Sequence, residues 1–144
     1  MPIINSTRRI SPLDLNKNVT IGVAFPLDDT NMFKGTKTIK EQVKANLINL
    51  LLTQQGERVN EPNFGVGLKY YLFEQNIDID SLNTVINEQI NFYIPEISLI
   101  DSEVNFLDDE HLLFIKIIYS INSDNTMDAI QLNFNQNATQ TLVR

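Results

Sequence analysis

A chain of 144 residues with 42% apolar content and a formal charge of −7 is long enough for one domain burying about two-thirds of its unfolded surface. The acidic balance excludes a general nucleic-acid binder, because phosphate neutralisation needs a basic face that Arg8-Arg9 alone cannot supply. No apolar run approaches the roughly 18 residues of a membrane span, the first residues lack a signal-peptide core, and the lack of cysteine excludes disulfides, a thiol nucleophile and a cysteine zinc site. The expectation is a protein made and assembled in the cytosol.

Residues 1–18 are polar and irregular, with Pro2 and Pro12, and read as an N-terminal arm ordered only where something holds it. Residues 19–25 alternate, with Val19, Ile21, Val23 and Phe25 on one face and Thr20, Gly22 and Ala24 on the other. This predicts a strand, ended by Pro26 and followed by a loop over 27–35. Thr38 and Glu41 have capping-box spacing and start a helix that runs to about Thr53. Its buried stripe is Ile39, Val43, Leu47, Leu50 and Leu51, widened by Ile48 and Leu52. Gly56 suits a left-handed position beyond the helix end. A loop over 54–65 leads into a short helix over 66–74, with Leu68, Leu72 and Phe73 directed inward.

A second long helix is predicted from Asp80 as N-cap, with Leu82, Val85, Ile86, Gln89, Ile90 and Tyr93 on one side and Pro95 as its stop. The final third reads as an antiparallel meander: a strand over 97–107, a turn at 108–111, a strand over 112–121, a turn through Ser123-Asp124-Asn125 and a strand over 129–134. The tail 135–144 is rich in Asn, Gln and Thr, and either hangs loose or adds a strand. The fold class is therefore α+β, with helices packed on a small antiparallel sheet and an additional N-terminal strand. One domain over 19–134 lies between the arm at 1–18 and the tail at 135–144.

Leu113, Ile115, Ile117, Tyr119 and Ile121 share the expected core face, whereas Leu112, Phe114 and Ile118 fall on the opposite one. Either the N-terminal strand, its loop or the first segment covers that second face, or Phe114 and Ile118 belong to a partner surface.

No active site emerges. A glycosidase needs two carboxyl groups roughly 5–10 Å apart, one of them a general acid of raised pKa. Among Glu57, Glu61, Glu74 and Glu88, Glu57 adjoins Arg58, whose guanidinium would favour the ionised form. Glu61 sits in a polar loop with nothing to desolvate it. Glu57 and Arg58 read better as an ion pair tying the loop to the domain or to a partner. His111 is the sole histidine, Asp108-Asp109-Glu110 lacks calcium-loop spacing, and Gly65-Val66-Gly67 lacks the phosphate-loop ending and reads as a tight turn. No catalytic residue, cofactor or metal is expected.

The stretch from Leu51 to Glu74 nevertheless carries a recognisable order of motifs. Thr53-Gln54-Gln55-Gly56-Glu57-Arg58 follows a leucine-rich helix end, then come Pro62-Asn63-Phe64-Gly65 and Leu72-Phe73-Glu74. Upstream are Phe25-Pro26-Leu27 and Asn46-Leu47-Ile48-Asn49-Leu50-Leu51-Leu52-Thr53. Over about 19–134 this resembles the baseplate wedge proteins of contractile-tailed bacteriophages and their type VI secretion counterpart, a family long labelled lysozyme-like. Where many members have E-P-R-I after the second long helix, this chain reads Ile94-Pro95-Glu96-Ile97, so that contact is not carried over.

The resemblance implies a virion structural protein of the tail baseplate, sixfold placed and assembled in the host cytoplasm. Its partners would be other wedge proteins and the tail sheath, with no nucleic acid, membrane or small-molecule substrate. Such proteins template the first sheath ring by accepting and donating β-strands. Partner-contact candidates are Glu57, Arg58, Phe64, Phe114 and Ile118, together with Ile130 and Leu132 on a strand that reads as a sheet edge. The alternative implied by the old label is a peptidoglycan-cleaving, lysozyme-like glycosidase.

Overall fold

In the computed structural model of the chain, which describes residues 12–16, 18–24, 34–74, 77–107, 112–135 and 138–143, the helical layer begins with a capped end. Thr38 is extended and its side chain accepts the Glu41 N–H at 3.2 Å, opening helix α1 over Ile39–Leu52. The Glu41 carboxylate reaches back past the capping residue and accepts from the Lys37 N–H at 2.9 Å. The Ile39 N–H, otherwise an orphan of the first turn, donates to Asp14 Oδ1 at 2.8 Å. Asp14 belongs to a 3-10 turn, Pro12–Leu15, so this part of the N-terminal arm is pinned to the start of α1. The predicted stripe of α1 is buried from Val43 to Leu51, joined by Ala45, while Ile39 and Leu52 pack at its margin.

The alternating segment ahead of α1 makes less sheet than its pattern predicts. Strand β1, Gly22–Val23, pairs antiparallel with β2, Gly35–Thr36, which starts at the last residue of the segment expected to be loop. Residues 25–33, including Phe25, lie outside the described residues. Val19 and Val23 are exposed, because the small-residue face of the ribbon meets α1. A Cβ at Gly22 would collide with the Gln42 side chain, and one at Gly35 with Thr20. The atoms met at Gly22 are the far end of the flexible Gln42 side chain, and Gly35 packs within the ribbon on Thr20, so the fit is local and not a rigid contact with α1.

Helix α2 covers Leu68–Tyr71 only, a single turn where a longer helix was predicted. Leu68 and Leu72 are buried, but Phe73 is 72% exposed and does not pack inward. The chain leaves α2 through i→i+3 bonds, from Phe73 N–H to Tyr70 O and from Glu74 N–H to Tyr71 O, which carry position 73 off the buried stripe. Helix α3, Ile79–Tyr93, starts two residues earlier than predicted. Its N-cap is Asp78, which accepts the Ser81 N–H at 3.3 Å, and Asp80 is within the first turn. Leu82, Ile86 and Ile90 form its buried stripe, and the helix stops before Pro95 as predicted.

Among the described residues the sheet has the order β3-β4-β5-β6, all antiparallel: β3 Ile97–Leu107, β4 Leu112–Ile121, β5 Met127–Asn135 and β6 Ala138–Val143. The register of β3 against β4 shifts between Leu99 and Asp101, a bulge at Ile100. Asn125, with φ +54°, makes the left-handed corner of the β4–β5 turn, and its N–H returns to Ile121 O at 2.8 Å. Leu113, Ile115, Ile117, Tyr119 and Ile121 point into one core with α1 and α3. The C-terminal segment adds a strand, so β5 lies inside the sheet and is not an edge. The edges among the described residues are β3 and β6.

Tyr119 ties this core to the α1 end. Its hydroxyl donates to Asp128 Oδ2 at 3.3 Å, and Lys40 reaches the same oxygen at 3.6 Å. Burial first, then the Asp128 charge and its hydrogen bond, push the Tyr119 phenol well above the ordinary tyrosine value. The folded state therefore holds a proton that the unfolded chain gives up near pH 10, so this contribution is present below about pH 10 and is lost as pH rises above it. Urea midpoints measured from pH 8 to 11 should fall on the alkaline side, and Tyr119→Phe should flatten that fall. An identical alkaline loss in both proteins would show that Tyr119 carries none of it.

Candidate functional site

The stretch between α1 and α2 is held by its own side chains. Thr53 closes α1, its N–H donating to Asn49 O at 3.0 Å and its hydroxyl to the same oxygen at 2.7 Å. The Leu50 carbonyl, another orphan of the helix end, receives the Val66 N–H at 3.0 Å, so residues more than a dozen positions on are folded back onto the helix. Gly56, at φ +92°, turns the chain and its N–H donates to Pro62 O at 2.7 Å. Gln89 of α3 locks the far side, accepting the Gly65 N–H at 2.9 Å and donating to Asn63 O at 3.0 Å.

The charged residues are engaged in this same construction. Glu57 does not pair with Arg58. Its carboxylate accepts the Gln54 N–H at 3.1 Å, while Arg58 pairs with Glu61 at 3.2 Å. Arg58 and Glu61 are three positions apart, and the intervening turn brings the side chains together where neighbouring residues would diverge. The Arg58 guanidinium also lies 3.6 Å from the centroid of the Phe64 ring. Phe64 is buried and meets Tyr93 edge-on at 5.0 Å, and Tyr93 meets Phe92 edge-on at 4.8 Å. Glu61, Arg58, Phe64, Tyr93 and Phe92 thus form one connected ladder from the loop to the end of α3.

Of the four carboxylates considered for glycoside cleavage, Glu57 is thereby occupied as a backbone acceptor and Glu61 as an ion-pair partner. Glu74 and Glu88 are exposed. Residues 108–111, with His111, lie outside the described residues. Phe114 and Ile118 are half-buried on the sheet face opposite the helices. Ile130 and Leu132 are corrected by the structure: at 1% and 3% exposure they are core side chains, because their strand is interior and this face of it packs on the helices.

The segment Ile94-Pro95-Glu96-Ile97 is anchored by a residue the sequence did not single out. Asn122 donates its Nδ2 to Pro95 O at 3.0 Å and its backbone N–H to Glu96 O at 2.9 Å, and it accepts from Ser98 Oγ at 2.7 Å. Ile94 and Ile97 enter the core on either side. Gln89 and Asn122 have no local signal as clamps, since each acts on backbone more than 20 positions away.

The motif residues of this small α+β fold are thus engaged with its own backbone and side chains. The model of the baseplate wedge protein gp25 family matches residues 37–126, from just before α1 to the β4–β5 turn. The chain belongs to that family, and its role is a structural one in a baseplate. The match is shorter than the resemblance over 19–134 and excludes the β1 strand and β5. No curated protein matches the chain. Among solved structures, a Geobacter sulfurreducens protein called a tail lysozyme is 23% identical, with 74% of this chain and 98% of that chain covered and a TM-score of 0.60. This shows a shared fold. A chain of the anti-feeding prophage baseplate, a sixfold-symmetrised cryo-EM structure, is 21% identical over 81% of this chain and 85% of that chain, with a TM-score of 0.46.

Proposed function

We propose that this chain is a non-enzymatic component of a contractile-tail baseplate wedge that docks on other wedge proteins and starts the tail sheath by strand pairing. In this reading it occupies sixfold positions in the virion tail and is assembled in the host cytoplasm. Its partners are wedge and sheath proteins.

The observation that carries the reading is β6. The C-terminal strand pairs with β5 from Gln131↔Val143 to Asn135↔Ala138, with an irregularity between Asn133 and Asn135. An edge strand presents unpaired N–H and C=O groups along its outer side and can extend by strand addition. Among the described residues β6 pairs with β5 alone, so its removal leaves the β3-β4-β5 pairing in place. Engagement of Glu57 and Glu61 in the loop's own bonds speaks against the glycosidase reading.

Deleting residues 138–144 from the gene of the parent particle is expected to leave a folded protein that enters baseplates, with sheath length reduced or sheaths absent by electron microscopy. Normal sheaths on baseplates containing the shortened chain would overturn the strand-pairing role.

A further inference from the structure

The ladder described above ends at the surface. Phe92 is 77% exposed, although its ring is held edge-on against Tyr93, and through Phe64 and Arg58 it is braced on the loop. At the ladder's other end Val59, the neighbour of Arg58, is 95% exposed. Phe92 is the large apolar residue in an outward stripe of α3 otherwise made of Asp80, Ser81, Thr84, Glu88 and Asn91. An exposed aromatic side chain already packed along one edge has less rotamer freedom to lose on binding, which suits an interface anchor.

The charged residues of α3 itself are all acidic. Glu88 stands one helical turn before Phe92 on the same face, and exposed Glu96 follows the helix end. Helix α3 contains no lysine or arginine, and its C-terminal turn adds the partial negative charge of unpaired carbonyls. The nearby cation, Arg58, is already paired with Glu61. A partner with acidic residues here would meet repulsion, whereas a basic one would be attracted.

We propose that the Phe92 end of α3 is a docking point for a polypeptide segment of another baseplate protein that presents an apolar side chain flanked by lysine or arginine. This rests on the baseplate reading of the chain and adds the chemistry of the partner and the residue that receives it.

The test places the photo-crosslinking residue p-benzoylphenylalanine at Phe92 in the full-length chain within assembled parent particles, and sequences the crosslinked peptides by mass spectrometry. The expected product is one peptide from another baseplate protein with Lys or Arg beside an apolar residue. Phe92→Asp and Glu88→Lys should each lower incorporation into particles by at least about tenfold while the chain stays folded, with only a small loss of thermal stability for Phe92→Asp from its Tyr93 contact and none for Glu88→Lys. Particles that contain the chain but give no crosslink would overturn the docking point and leave the baseplate role standing. So would crosslinks to an acidic segment or to a second copy of this chain, or normal incorporation of both variants. Parent particles that lack even the unsubstituted chain would remove both.

Discussion

Gly65→Ala is expected to cost about 3–5 kcal/mol of folding stability, one of the two largest single-residue effects predicted for this chain. Gly65 has φ +112°, a conformation that L side chains rarely adopt, and a Cβ there would collide with the Thr53 carbonyl oxygen, which is backbone and cannot rotate away. Relief would require moving the loop off the end of α1. That movement would also break the Gly65 N–H bond to Gln89 and the Val66 N–H bond to Leu50. Gly56→Ala is the control: φ there is +92°, but a Cβ would meet nothing within 4 Å, so the cost should be about 1–2 kcal/mol of backbone strain. Urea unfolding followed by circular dichroism measures both. Equal losses for the two variants would mean that backbone conformation alone matters and that close packing of the loop on Thr53 does not.

Ile117→Ala should cost about 3–4 kcal/mol, and Ile118→Ala about 1 kcal/mol. The two neighbours lie on opposite faces of β4: Ile117 is fully buried against the helices, while Ile118 is half-buried on the other side of the sheet. Truncating the first opens a cavity among side chains from β3, β5 and the helices, which can collapse only in part. Truncating the second removes apolar area that water or a partner can replace. The same unfolding measurement decides the matter, and comparable losses would place a covering layer over Phe114 and Ile118 as firm as the helical one.

Much of this architecture was legible from local pattern. The spacing of Val43, Leu47, Leu50 and Leu51 locates α1 and its buried face, because side chains three and four apart share one side of a helix. Unbroken large apolar residues at every second position from Leu113 to Ile121 locate β4 and its core face for the corresponding reason in a strand. Thr38 marks a helix start because the side chain that caps it is adjacent in sequence.

Other readings failed where non-local packing competes with local preference. Residues 19–25 carry a strand pattern, yet among the described residues only Gly22–Val23 pair as a strand, and Val19 and Val23 remain outside. Asp78 and Asp80 are both chemically fit to cap α3, and only the path of the preceding chain selects Asp78. Adjacency suggested that Glu57 pairs with Arg58, whereas the turn through Gly56 and Pro62 brings Glu61 to the guanidinium. The site divides in the same way. Its motif could be read directly, but not that Gln89 and Asn122 hold the backbone from a distance, nor that Phe92 ends a braced ladder at the surface.

Periodicity, caps and turn residues determined where helices and strands lie and which face of each is apolar, because those depend on neighbours within one or two turns of chain. The tertiary structure alone decided which charges pair, that β5 is interior to the sheet, and which apolar residues remain outside. Those outcomes depend on segments distant in sequence competing for the same hydrogen bonds and the same buried volume.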